Sequence, residues 1–198
     1  LLTGKHLYQS IQTATEQEML LEWLLQQESV CFDTETTGLD ELSAELVGIA
    51  FSWKKGTGYY LPFPEDRTAC ETKLAYFAPF FQSSEIEKVG HNLKYDIKVL
   101  QQYGMNVQAP LFDTMIAHYL INPDMRHNMD VLAENYLGYQ PQPITELIGK
   151  KGPNQGEMRN VPLDKQTEYA VEDVDVTCQL KNHFVTEMAS KEVIDLFN

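Results

Sequence analysis

The sequence predicts an α/β fold with a mixed β-sheet flanked by α-helices. Strand-like runs cluster early in the chain; helical patterns follow and then alternate with shorter strand-like segments. A length of 198 residues, 43% of them hydrophobic, suits one domain with a substantial core.

The elements follow in order. Stretch 13–28, TATEQEMLLEWLLQQE, reads as a helix: Met19, Leu20, Trp23 and Leu24 share a face, and Thr15 with Glu18 has the spacing of a capping box. SVCFDTE (29–35), AELVGIAFSW (44–53) and GTGYYLPF (56–63) read as strands, divided by the turn residues GLD and KKG. ETKLAYFAPFF (71–81) is a helix interrupted near Pro79, EKVGHN (87–92) a short strand, and LKYDIKVLQQYG (93–104) a helix closed by Gly104. PLFD (110–113) is a short strand or turn, followed by helical TMIAHYLI (114–121) and MDVLAENYLG (129–138). Between Tyr139 and Pro162 lie four of the nine prolines and three of the eleven glycines, which predicts a long loop whose default state is disorder. A final helix runs from near Asp164 to about Ser190.

Composition narrows the function classes. No apolar run reaches the length of a membrane span, and no membrane partner is expected. Cys31, Cys70 and Cys178 are odd in number and form no CxxC pair, which favours a reducing compartment over a disulfide framework. The five histidines are scattered, without an HxxxH or HExxH pair for zinc. Fifteen basic against 29 acidic residues give a net charge of −14, which alone argues against gripping a long stretch of nucleic acid. The chain opens LLTGKH without a methionine, so a piece of a longer protein is expected.

Acidic residues in three segments run against this patterning. In FDTETTG (32–38), Asp33 and Glu35 alternate on a strand and therefore point the same way, where two like charges repel. Asp96 falls in the helical stripe Leu93, Asp96, Leu100, Tyr103, where apolar surface is expected. Asp173 falls in the stripe Tyr169, Asp173, Val176, Leu180, Phe184, while Val171, Val174, Cys178, Val185 and Met188 form a second stripe, so that helix is expected to be buried on two faces. Buried charges are neutralised, paired or bound to metal. Convergence of Asp33, Glu35, Asp96 and Asp173 on divalent cations answers all three oddities, since Mg²⁺ or Mn²⁺ takes all-oxygen ligands. Periodicity alone leaves open that either helical aspartate sits at a stripe edge and reaches water.

FDTETTGL, VGHNLKYD and YAVED together resemble the three motifs of the 3′→5′ exonuclease family that carries four acids and a tyrosine. The likeness is greatest to the proofreading domains of bacterial DNA polymerase I, and it extends through SAELVGIAFS, KVGHNLKYDIKVL, MRHNMDVLAENYLG and the GKKGPNQ loop. The resemblance implies a ribonuclease H-like (DnaQ-like) fold with a five-stranded mixed sheet, formed by residues 1–198 as a single domain excised from a longer polymerase. It implies hydrolysis of terminal phosphodiester bonds of DNA to 5′-mononucleotides with two Mg²⁺ or Mn²⁺ ions per site. Its partners would be a single-stranded or frayed 3′ end of DNA and a polymerase domain in the same parent chain, in a bacterial, cytoplasmic and nucleoid-associated setting. A ribonuclease D-type RNA exonuclease, which uses the same five residues, and a catalytically silent scaffold domain are the alternatives.

By the same resemblance, Asp33, Glu35 and Asp173 hold one cation, and Asp33 with Asp96, through water, holds the other. Tyr169 and Glu35 orient the attacking water, a phenol with a pKa near 10 being a poor base. Leu39 wedges between the last bases, and Thr36 with Glu35 holds the terminal 3′ hydroxyl. Asn92 is either a DNA contact or the N-cap of the following helix. Arg126 matches a basic position near phosphates, against a surface ion pair. His91 reads as structural or rim. Lys150, Lys151 and Arg159 form the basic part of the long loop, a mobile phosphate contact, and Ile144 stands about where an aromatic would stack on a base.

Overall fold

The computed structural model describes residues 6–191, so the expected span of 1–198 extends past the described residues at both ends. Six strands form one sheet: β1 (Leu7–Ser10), β2 (Ser29–Thr36), β3 (Leu46–Lys54), β4 (Thr57–Pro62), β5 (Glu87–Gly90) and β6 (Leu111–Asp113). Their order is β1-β4-β3-β2-β5-β6. Strand β3 is antiparallel to both its neighbours, whereas β1–β4, β2–β5 and β5–β6 pair in parallel, which makes the sheet mixed.

The sixth strand corrects the expected count of five. LYQS of β1 is four residues long and half exposed along its length, so it carries none of the apolar alternation by which the other strands announce themselves. It forms the edge of the sheet beside β4.

Helices cover both faces. On one face α1 (Ala14–Leu25), α2 (Arg67–Tyr76), α3 (Ala78–Phe81) and α4 (Leu93–Gln102) bury Leu20, Leu24, Leu74, Phe80, Phe81 and Leu100 against Phe32, Ile49, Phe51 and Leu61. On the other, α5 (Thr114–Ile121), the single turn α6 (Met129–Leu132) and α8 (Leu163–Ser190) cover Cys31, Ala50, Tyr60, Val89 and Phe112. A further single turn, α7 (Thr145–Ile148), interrupts the long loop. Strand alternation sorts the two cores: even-numbered β2 residues Val30 and Phe32 face the first layer, odd-numbered Cys31 the second.

Several local readings change. The capping box of α1 is Thr13 with Glu16, two residues before the pair the spacing suggested: Thr13 Oγ1 accepts from the Glu16 amide, and the Glu16 carboxylate accepts from the Thr13 and Gln12 amides. Met19 is exposed although it was assigned to the buried face. In α8 the second apolar stripe breaks at Val185, which is 38% exposed. Segment 129–138 does not remain α-helical; it widens into a π-turn over Ala133–Leu137 and stops at Gly138 with φ +63°.

Helix α8 lies close to the sheet because two strand positions lack side chains. A Cβ on Gly58 would stand 2.4 Å from Val171 Cγ1 and 2.8 Å from the Phe51 carbonyl oxygen, and one on Gly48 would run into the Tyr60 ring. Tyr60 in turn donates its hydroxyl to Gln166 Oε1 of α8 at 2.7 Å.

Candidate active site

Helix α8 crosses β2 antiparallel to it, and the two elements meet in rungs. Lys181 Nζ donates to Ser29 Oγ at 2.9 Å. Cys178 and Cys31 fall at the next rung, both in the core under α8. Then Asp173 reaches Asp33 and Glu35, and each of these three carboxylates has an oxygen within 4.8 Å of the other two. The spacing closes physically: the four strand steps from 29 to 33 advance about 13 Å, and the eight helical steps from 181 to 173 about 12 Å.

Strand alternation puts Asp33 and Glu35 on the α8 face after Cys31, as their spacing predicted. Their cross-strand partners on β3 are Ala50 and Gly48, so no cation faces them across the ladder. The register shifts immediately after Glu35: Thr36 pairs with Leu46 and Val47 of β3 is passed over, a bulge beside the acids. Among the described residues the ion pairs are His6–Glu168, Arg67–Glu71, Lys98–Glu41, Arg159–Glu45 and Lys181–Glu87, and none involves the three acids.

Asp96 approaches from the other flank. Strand β2 pairs with β5 only as far as Cys31, so the stretch after it projects beyond the end of β5. There Asp96 Oδ1 accepts from the Thr34 amide at 3.0 Å and from Thr34 Oγ1 at 2.6 Å, taking the place of a strand partner. At 2% exposure it occupies the apolar stripe of α4 as its spacing indicated. It lies outside the 4.8 Å group, and its charge nevertheless acts on Asp33 and Glu35.

Burial and mutual repulsion hold these acids in their protonated form far above the ordinary range. Asp33 is pushed well up by burial first, then by Asp96, Glu35 and Asp173; Glu35 by burial, then by Asp173 and Asp96. Burial takes Asp96 up to about 7 against the opposing hydrogen bonds from Thr34. Asp173 rises to about 8 through burial, then Glu172 and Asp130, with the hydrogen bond from Tyr169 pulling the other way. Tyr169, one helical turn before Asp173, has its ionisation pushed far upward by burial and then by the surrounding carboxylates, so its phenol stays protonated. Crowded oxygen donors without a basic partner match the chemistry of a hard divalent cation, which removes both the desolvation penalty and the repulsion.

Asp33, Glu35 and Asp96 open onto a cleft of about 320 Å³, lined also by Leu39 and Asn92 from the body and by Lys151 from the long loop; Asp173 and Tyr169 stand behind Glu35 and are not among the lining residues. The cleft lies beyond the carboxyl ends of β2 and β5, where neighbouring strands part. Leu39 is 86% exposed at its rim. Thr36 is half-buried, and its hydroxyl is engaged internally, with the Gly38 carbonyl at 2.8 Å and the Tyr95 hydroxyl at 2.6 Å. Asn92 occupies the N-cap position of α4 in a left-handed conformation, φ +66°, but its side chain makes no capping bond. The cap is supplied instead by Asp113, which accepts from the Asn92 and Leu93 amides and also from those of Met115 and Ile116 in α5. His91 lines the cleft wall and bonds to Thr114 Oγ1 and the His127 carbonyl oxygen.

Other predicted residues lie apart. Arg126 is exposed on the α5–α6 connection and is not among the cleft-lining residues. Arg159 pairs with Glu45 at 3.2 Å and contacts the Leu46 carbonyl oxygen, so it fastens the loop rather than facing the cleft as a free cation. The loop itself is built, contrary to its default: Met158 and Val161 pack on Val47 with Leu147, Ile148 and Tyr169, and the Gly156 amide bonds to the Ile148 carbonyl. Ile144 and Ile148 thereby form an aliphatic cleft wall. Lys150 is exposed and outside the lining. Thr34 and Tyr95 escaped sequence reasoning. Thr34 alternates onto the opposite face from the acids, and Tyr95 precedes Asp96, so only the knowledge that β5 stops short could have pointed to them.

Residues 8–189 match the family model described as 3′-5′ exonuclease. The chain belongs to this exonuclease family. DNA polymerase I of Borreliella burgdorferi is 34% identical to the exonuclease over 194 residues, covering 96% of the chain and 21% of that protein. DNA polymerase I of Pseudomonas aeruginosa is 35% identical over 172 residues, covering 81% and 18%. The exonuclease thus spans about a fifth of the length of these curated relatives. In fold it is similar to Brucella melitensis NrnC, with a TM-score of 0.74 over 98% of this chain and 86% of that one at 19% identity.

Proposed function

We propose that the chain is a single exonuclease domain that removes nucleotides from the 3′ end of DNA, within a longer polymerase whose other domain holds the duplex. The observation carrying this reading is the group of three carboxylates within 4.8 Å of one another, without a basic partner among the described residues. Identity above 30% to DNA polymerase I supports DNA as substrate and proofreading, in a bacterial cytoplasm at the nucleoid, as its use. The small cleft supports a terminal nucleotide, rather than a duplex, as the bound piece; its volume is at the low end of the roughly 300–1,000 Å³ of ligand pockets. That accommodates the net charge of −14.

Asp33, Glu35 and Asp173 would hold one Mg²⁺ or Mn²⁺, and Asp33 with Asp96 a second. Two such ions, when bound, activate water at neutral pH and stabilise the leaving oxygen. Tyr169 stays a neutral donor that fixes the attacking water together with Glu35. Leu39, Thr36 and Asn92 position the last nucleotide at the cleft rim, and Lys151 meets a phosphate. Thr34 keeps Asp96 in place.

The test is incubation with 3′-labelled single-stranded DNA and matched RNA, with and without Mg²⁺ or Mn²⁺, beside Asp33→Ala. Metal-dependent release of deoxymononucleotides, lost in the variant, supports the proposal. Equal or faster trimming of RNA moves the assignment to an RNA exonuclease, and no metal-dependent release from either substrate moves it to a silent scaffold.

A further inference from the structure

Between the carboxylate rung and the Lys181–Ser29 rung, the β2–α8 seam carries two sulfurs. Cys31 is buried, stands two residues before Asp33, and shares its side of the strand. Cys178 is half-buried on α8, five residues after Asp173 and three before Lys181, which sets it opposite Cys31 between the carboxylate group and the Lys181–Ser29 bond; the two thiols are near enough to shift each other's ionisation. Both are free, and both belong to the core under α8. The third cysteine, Cys70, is buried in the opposite layer. The Cys178 thiol is shifted toward its thiolate by Cys31 first and, last, by the Lys181 ammonium one turn beyond, against burial and the Asp175 carboxylate.

We infer that Cys31 and Cys178 form a peroxide-operated latch, a disulfide modification site that ties β2 to α8 beside the carboxylates. The thiolate of Cys178 attacks a hydroperoxide, giving Cys178 sulfenic acid and releasing hydroxide. The Cys31 thiol then displaces water from the sulfenic sulfur, forming the disulfide. Each sulfur gives up one electron, and the peroxide takes the two. Bonded sulfurs stand about 2.05 Å apart, against roughly 3.5–4 Å for atoms merely in contact. Closure therefore draws α8 toward β2 at the rung next to Asp173 and misaligns that carboxylate relative to Asp33 and Glu35. The effect on cation affinity rests on the metal-site reading given above; the cross-link does not.

The experiment exposes the purified, reduced, metal-free chain to hydrogen peroxide, then maps its peptides without reduction. The expected product is one Cys31–Cys178 disulfide with Cys70 free. Titration with Mn²⁺ should then show affinity about tenfold weaker in the oxidised chain, restored by dithiothreitol. Cys178→Ala should show neither effect, while Cys31→Ala should accumulate sulfenic acid at position 178 without cross-linking. Separate, uncrosslinked thiols at 31 and 178 after treatment overturn the latch, as does a disulfide that leaves Mn²⁺ affinity unchanged. Failure of the reduced chain to bind Mn²⁺ sinks the metal reading instead, and the metal-free cross-link assay then decides the latch by itself.

Discussion

Asp173 and Asp175 stand two residues apart on α8, and the fold treats them in opposite ways. Asp175 is fully buried, yet its carboxylate receives the Tyr8 hydroxyl at 2.7 Å, the Gly56 amide and the Gln179 amide nitrogen. It pins the edge strand and the β3–β4 turn to the helix. Asp173 is less buried and faces two other carboxylates, and among the described residues Tyr169 alone favours its charge. A fold that needs a buried acid for structure surrounds it with donors. Where donors are withheld and acids are gathered, the missing charge has to come from outside.

The largest effect should come from exchanging the two fates. Asp173→Asn and Asp33→Ala are expected to lower metal-dependent nucleotide release by roughly 1,000-fold, the scale of losing a principal charge-stabilising group, while leaving thermal stability unchanged or raised. Asp175→Ala should do the reverse: activity per folded molecule persists, and stability falls by about 2 kcal/mol because buried donors lose their acceptor. Denaturant unfolding beside single-turnover assays separates the two patterns.

The pH dependence of the metal-free protein sharpens the same contrast. Unfolded carboxylates titrate near pH 4, whereas folded Asp96 and Asp173 titrate at about 7 and about 8. Between those limits the folded chain binds more protons than the unfolded one, so stability is fully present below about pH 4 and is lost as pH rises through 7 to 8. The melting temperature should drop by roughly 5–10 °C from pH 5 to pH 8.5. Saturating Mn²⁺ should recover a similar amount at the upper end. A metal-free melting temperature that stays level over this range counts against the crowding of the acids.

Asp113 belongs with Asp175, as it serves four amides at the starts of α4 and α5. Its replacement by Ala should cost about 2 kcal/mol in chemical denaturation, the sum of two lost caps, and little of the metal affinity measured by titration. The smallest effect is expected at Arg159, whose Ala variant should lose about 0.5 kcal/mol because Glu45 of the pair is more than half exposed.

Sequence alone was enough to reveal Asp33 and Glu35, since strand alternation needs only the local pattern to place two acids on one face. It also marked Asp96 and Asp173 as misfits in helical stripes. What local pattern could not supply was where one element ends against another. The Thr34–Asp96 bond exists because β5 stops short of β2, and the capping of α4 by Asp113 exists because β6 ends beside it. Strand β1 was missed because an exposed four-residue edge has no apolar signature. The long loop gave only composition, and its order comes from Met158 and Val161 finding Val47 across the fold.

Gly58 carries no chemistry, yet it governs whether chemistry can occur. With Val171 and the Phe51 carbonyl already at the limit of approach, any side chain there acts as a wedge under α8, lifting the helix that delivers Asp173. A chain with Gly58→Val would keep every acid and the tyrosine, and any inventory of conspicuous residues would pass it as competent. Its failure would be one of clearance alone.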